Sequence, residues 1–155
     1  MSDNLHALEA WAGALLAKLQ PAQRRAINHK VAIDLRRSQA QRIKAQQGPD
    51  GAPYTARKKR KEFKEKNGRI KRQKAAMFNK IRTAEYLKVH ADPSQLTVGF
   101  VGKVMSIARV HHEGLTENVT KRGPKYSYPA RPLLGLNEAD RTLIRASLLH
   151  HMEQF

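Results

Sequence analysis

The chain has no cysteine among its 155 residues. That removes disulfides, thiol chemistry and zinc–thiolate sites together, and it fits a reducing compartment. Acidic residues are scarce as well: 13 Asp and Glu stand against 30 Lys and Arg, a formal charge of +17. Such an excess directs attention to polyanionic partners, namely nucleic acid, anionic membrane or acidic protein surfaces. Aromatics are only 6% of the sequence, too few for the base-stacking platform of a typical nucleic-acid reader. No run approaches the roughly 20 apolar residues of a membrane helix. The first residues lack the basic n-region of a signal peptide, so none is expected. Internal repeats are also lacking.

What is present is concentrated charge. Between Tyr54 and Arg82, 13 residues are Lys or Arg and only Glu62 and Glu65 are acidic. A stretch like this cannot enter a core, because each unpaired buried cation costs several kcal/mol. It must lie on a surface or meet negative charge. The expected partner-binding or polyanion-binding residues are Arg57, Lys58, Lys59, Arg60, Lys61, Arg69, Lys71 and Arg72.

Around this segment the pattern reads α+β. Leu5, Leu8, Ala12, Leu15 and Leu19 recur at helical spacing over 3–19, with Ser2 or Asp3 as cap and Trp11 as a packing anchor. Pro21 suits the first turn of a second helix over 21–46, whose apolar stripe is Ile27, Val31, Leu35 and Ile43, with Ala26 and Ala32. Gly48-Pro49-Asp50-Gly51 ends it. The two helices are expected to form a hairpin that leans on the C-terminal half or on another subunit. A short helix is expected over 75–83, from the spacing of Met77, Phe78 and Ile81. Alternation over 85–91 and 95–101, with Asp92-Pro93-Ser94 between, predicts a β-hairpin. A helix over 103–113 stops at Gly114, and a short strand is expected over 118–121. Asn137 caps a last helix, with Glu138 and Asp140 at the positive end of its dipole. The whole is read as a single domain, 1–155, with parts 1–47, 48–74 and 75–155.

Chemical motifs are weak. Gly99 to Val104 resembles a phosphate loop in placement, but only two residues separate Gly99 from Gly102 and Val104 replaces the hydroxyl residue. His111-His112 and His150-His151 are adjacent on helices, so each pair diverges by about 100° and cannot chelate together. One buried and one exposed imidazole are expected in each pair. Glu138 and Asp140 are explained by capping. No catalytic residue, metal or cofactor is assigned.

Several landmarks fall in a familiar order. They are Arg36-Arg37-Ser38-Gln39 with Gln41-Arg42-Ile43, Pro49-Asp50-Gly51-Ala52-Pro53-Tyr54, and Met77 to Arg82. Val98-Gly99-Phe100, Ala108 to Gly114 and Tyr128 to Leu136 follow, before a helix containing Asp140. Together they resemble the phage virion morphogenesis family, in its tail-completion branch from temperate contractile-tailed bacteriophages. The resemblance spans nearly the whole chain, with His112 standing where relatives often carry Gln. It implies a structural, non-enzymatic protein made in the host cytoplasm and built into the virion tail or neck. There it would complete the tail and enable head–tail joining as a ring oligomer at the head-proximal end. The implied partners are tail-tube or terminator and head-connector proteins, with possible nonspecific DNA contact and no membrane. Arg131, Leu133 and Leu134 are expected at subunit packing. The alternative reading is a nonspecific basic nucleic-acid-binding protein.

Overall fold

A computed structural model describes residues 2–58 and 76–154. The longest element is α2 (Pro21–Lys44), and the others are arranged along it. Before it comes α1 (Ser2–Leu16). After it follow β1 (Leu87–Ala91), β2 (Leu96–Phe100), α3 (Val104–Glu113), β3 (Thr116–Asn118), β4 (Lys125–Ser127) and α4 (Glu138–Met152). The expected α+β architecture is what is found. The expected caps of α1, Ser2 and Asp3, lie outside the side chains described.

At about 1.5 Å per residue, the 24 residues of α2 reach about 36 Å, long enough to serve two separate apolar clusters. Pro21 occupies its first turn, where a missing N–H costs nothing. Near its start, Ile27 and Val31 pack with Leu148 of α4, and Trp11, Ala12, Leu15 and Leu16 of α1 close over them. Near its end, Ile43 packs with Tyr54, Met77, Ile81, Ala108 and Leu133. The apolar stripe read from the sequence therefore supplies Ile27 and Val31 to one cluster and Ile43 to the other.

The β1–β2 hairpin is antiparallel, with Leu87 opposite Phe100 and Ala91 opposite Leu96. Asp92 builds its turn: one carboxylate oxygen accepts from the Ser94 amide (2.7 Å), the Ser94 hydroxyl (2.7 Å) and the Gln95 amide (2.9 Å). These bonds, the Ser94 hydroxyl first, hold the Asp92 carboxyl down at about 2. Buried Asn28 of α2 donates to the Asp92 carbonyl at 2.8 Å and so fixes the hairpin end on the helix. A second small hairpin pairs β3 with β4, Thr116 opposite Ser127 and Asn118 opposite Lys125.

Two local expectations change. The short helix expected over 75–83 is a series of turns where it is described, because Phe78 takes a left-handed φ of 64° that an α-helix cannot contain. Met77 and Ile81 still reach the core, as their apolar character demands. The strand expected over 118–121 lies earlier, at Thr116–Asn118, because Thr120 to Gly123 close a tight turn (Gly123 N to Thr120 O, 2.9 Å). Gly114 ends α3 as expected, at φ 70°.

Candidate functional site

Of the expected polyanion-binding residues, Arg57 and Lys58 are described and exposed. Lys59, Arg60, Lys61, Arg69, Lys71 and Arg72 lie outside the described residues. What is described in detail is how the chain is held where it enters and leaves this segment.

Gln46, just past α2, holds both places. Its φ of 60° turns the chain out of the helix, and its carbonyl accepts from the Tyr54 amide at 2.8 Å. Its side-chain amide pairs with the Met77 backbone in both directions: Met77 N donates to Oε1 (2.7 Å), and Nε2 donates to the Met77 carbonyl (2.9 Å). The pairing imitates one rung of a β-ladder, so a single side chain satisfies two backbone groups that would otherwise be stranded.

Arg131 completes the grip. It is 4% exposed and has no carboxylate partner among the described residues. Its Nε donates to the Thr55 carbonyl (2.7 Å) and its Nη2 to the Ala56 carbonyl (3.2 Å). Nη1 meets Nδ1 of His111 at 3.2 Å, and the Arg131 amide donates to the His111 carbonyl at 2.6 Å. Burial pulls the guanidinium below its ordinary value, and Arg57 adds to that. His111 is also lowered, by burial first and then by Arg131 and Arg57. A neutral ring carrying its proton on Nε2 can accept from Arg131, so the electrostatics and the bond agree.

His112 is placed by a different contact, its Nδ1 accepting from the Leu133 amide at 3.1 Å. Both members of this pair are half-buried, rather than one buried and one exposed, because the 128–133 segment runs along the end of α3 and bonds to each ring. In the second pair, His150 is exposed and His151 half-buried. Aromatic edges extend from the same place. Tyr54 meets Phe78 (5.7 Å between centroids), Phe78 meets His111 (5.1 Å), His111 meets Tyr128 (4.9 Å) and Tyr128 meets Tyr126 (4.8 Å). All four contacts are edge-to-face, which suits the ring quadrupoles. Lys58 sits over the Tyr126 ring at 5.7 Å.

A second polar cluster joins α2 to α4. Asp140 is 1% exposed. It accepts from the Ser38 hydroxyl (2.7 Å), from Nη1 of Arg42 (2.6 Å), from Gln39 Nε2 (3.2 Å) and from the Asn137 amide (3.2 Å). The Asn137 side chain returns a cap by accepting from the Asp140 amide at 2.8 Å. Arg42 Nη2 also donates to the Gly135 carbonyl at 2.6 Å and to Gln39 Oε1. Burial raises the Asp140 carboxyl, but the bonds from Ser38, Arg42 and Asn137 outweigh it and leave the group below its ordinary value. Asp140 takes part in the cap that its position at the helix start predicts, and its charge additionally neutralises Arg42.

Arg131 and Leu133, two residues expected at subunit packing, are buried within this chain, Leu133 completely. Leu134 is half-buried and lines an apolar cavity of about 750 Å³ between α1, α2 and the β1–β2 turn.

Ser147, His151 and Asp34 meet on α2 and α4 but not in the order of a nucleophilic relay. The Ser147 hydroxyl (2.6 Å) and His151 Nε2 (3.1 Å) both address the same Asp34 oxygen. A nucleophilic relay needs serine bonded to histidine and histidine to the carboxylate, and here the carboxylate is in the middle. Among the described residues, no group of three or more His, Asp or Glu is placed to hold a metal ion. No helix there is long and apolar enough to cross a membrane.

The chain belongs to the phage virion morphogenesis family, whose pattern it matches over residues 3–153. It is 41% identical over 141 residues to the tail completion protein S of Escherichia phage P2, covering 90% of this chain and 91% of that relative. No solved structure matches the chain.

Proposed function

We propose that this protein is a structural component that completes a phage tail and enables its joining to the head. The observation that carries the reading is the near end-to-end similarity to a tail completion protein, within a family named for virion morphogenesis. The geometry supports it: the buried polar clusters fasten elements together, and the chain is held at Thr55 and Ala56 before the dense run of cations and at Met77 after it. The protein performs no bond-making chemistry in this reading.

It acts as a ring oligomer at the head-proximal end of the tail, meeting tail-tube or terminator proteins on one side and head-connector proteins on the other. Arg57 and Lys58, with the cations that follow them in sequence, supply charge for acidic surfaces on those partners. Repetition around a ring multiplies weak contacts through effective concentration. Leu134 is the member of the expected packing set with surface left to offer a neighbour.

Deletion of the gene from its phage tests the role. Electron microscopy of the lysate should show filled heads and separate tails, restored to whole virions by expression in trans. Normal infectious particles without the protein would end the proposal. Analytical ultracentrifugation of the purified chain reads the oligomer, and a strict monomer at all concentrations and on isolated tails would remove the ring.

A further inference from the structure

The β3–β4 hairpin carries charge that neither polar cluster uses. Its turn is closed by Gly123 N to Thr120 O (2.9 Å) and by Val119 N to Pro124 O (3.0 Å). Lys121 and Arg122 therefore occupy the two corners and are exposed, and exposed Lys125 follows on β4. A Cβ on Gly123 would sit 2.3 Å from the Thr120 hydroxyl oxygen, so a larger residue there would require the Thr120 side chain to move. Lys58 lies over the ring of Tyr126 on β4, and Arg57 precedes it, so these two cations border the Tyr126 face of the hairpin, while the neighbouring Lys125 alternates to the other face. None of Arg57, Lys58, Lys121, Arg122 and Lys125 has an acidic partner within ion-pair distance among the described residues. The nearest acid in the ribbon is exposed Glu117, opposite Tyr126.

We infer that this hairpin, with Arg57 and Lys58 beside it, is a sequence-independent contact for the phosphate backbone of duplex DNA. The composition decides between DNA and an acidic protein. Protein interfaces are built on a buried apolar and aromatic centre and are poor in Lys. Here Val119 is the exposed large apolar residue, and the rest of the tip is Lys, Arg, Thr, Gly and Pro. Phosphate contacts call for Lys and Arg, with hydroxyls and backbone amides in support. A two-stranded ribbon is also narrow enough to approach a duplex groove. The inference goes beyond tail assembly and does not rest on it.

Salt dependence tests it. Each phosphate neutralised on duplex DNA adds about 0.9 to the slope of log affinity against log salt. Removing the three hairpin cations in the full-length variant K121Q/R122Q/K125Q should lower the slope by about 2.7. Between 50 and 200 mM salt the parent then loses about 40-fold more affinity for a 20-base-pair duplex than the variant does. The control K88Q/K103Q/R145Q removes three exposed cations elsewhere and should change the slope by less than about 1. Charge-retaining K121R/R122K/K125R should keep the parent slope. Circular dichroism confirms that each variant is folded. Equal slope losses in the two Gln triples would reduce the effect to net charge and overturn the proposal. So would unchanged DNA binding by the hairpin triple together with lost binding to polyglutamate, which would assign the patch to acidic protein.

Discussion

Replacement of Asp140 by alanine should be among the most damaging single changes in this chain. The carboxylate is almost wholly buried and receives bonds from Ser38, Gln39, Arg42 and the Asn137 backbone. Its removal leaves Arg42, whose side chain is 10% exposed, as a buried cation without its counter-charge. Breaking a buried pair from one side costs about 3–5 kcal/mol, because the surviving charge stays desolvated. For a chain of this size each kcal/mol moves Tm by roughly 2–4 °C, so a loss on the order of 10 °C is expected. Removing both charges in D140A/R42M should cost less than the sum of the single changes, since no ion is then stranded. Urea unfolding followed by circular dichroism, at one fixed protein concentration, gives all four corners of the cycle. A single-mutant loss below about 1 kcal/mol, or strict additivity in the double mutant, would refute the reasoning. The pH dependence provides an independent check. The folded carboxyl lies below its ordinary value, so its contribution is present above about pH 4 and fades as pH falls through the folded pKa. In D140N that component of acid destabilisation should vanish.

Arg131→Met should loosen the chain at Thr55 and Ala56 by removing their bonds to a charged donor, costing about 2–3 kcal/mol, with faster hydrogen exchange in peptides covering 50–58. Unchanged exchange there would show that Arg131 is not the clamp. Tyr54→Phe should be neutral or slightly stabilising, because the buried hydroxyl has no hydrogen-bond partner among the described residues while the ring keeps its edge contact with Phe78. In the parent, burial pushes that phenol up to about 12, so alkaline difference absorbance should show one of the four tyrosines titrating late, and the late phase should disappear in Y54F. The folded state then loses this contribution as pH rises from about 10 towards about 12. Gly114→Ala should destabilise by at least about 1 kcal/mol in thermal unfolding, since its φ is 70° and a Cβ would lie 2.9 Å from the Ala130 backbone nitrogen.

Much of the fold was legible because long periodic patterns leave few choices. Ile27, Val31, Leu35 and Ile43 recur at four-residue steps through a stretch without glycine or proline that is too long for an ordinary strand, and Asn137 three residues before Asp140 is a strong cap signal. The same stripe held an unread signal. Stepping by four from Leu35 reaches Gln39 before Ile43, a polar residue in an apolar position. Buried polar groups are bonded, so Gln39 pointed to partners elsewhere in the chain, and these prove to be Gly135 and Asp140, about a hundred residues away. No local pattern names such partners. Lys121, Arg122 and Lys125 stand out less than the denser run before them, and only the β3–β4 pairing gathers them on one hairpin, with Lys58 over its Tyr126 ring.

By itself the sequence determined the four helices that form, though not the turns found where a fifth was expected over 75–83, together with the first β-hairpin and a charge too large to bury, since these follow from residue spacing and the cost of desolvating ions. It also held the family pattern. Tertiary structure decided what the polar residues do: Gln46 ties Tyr54 to Met77, Arg131 grips Thr55 and Ala56, and Asp140 neutralises Arg42. The physical reason is that a hydrogen bond or ion pair is fixed by distance in space, and folding brings together groups that are remote along the chain.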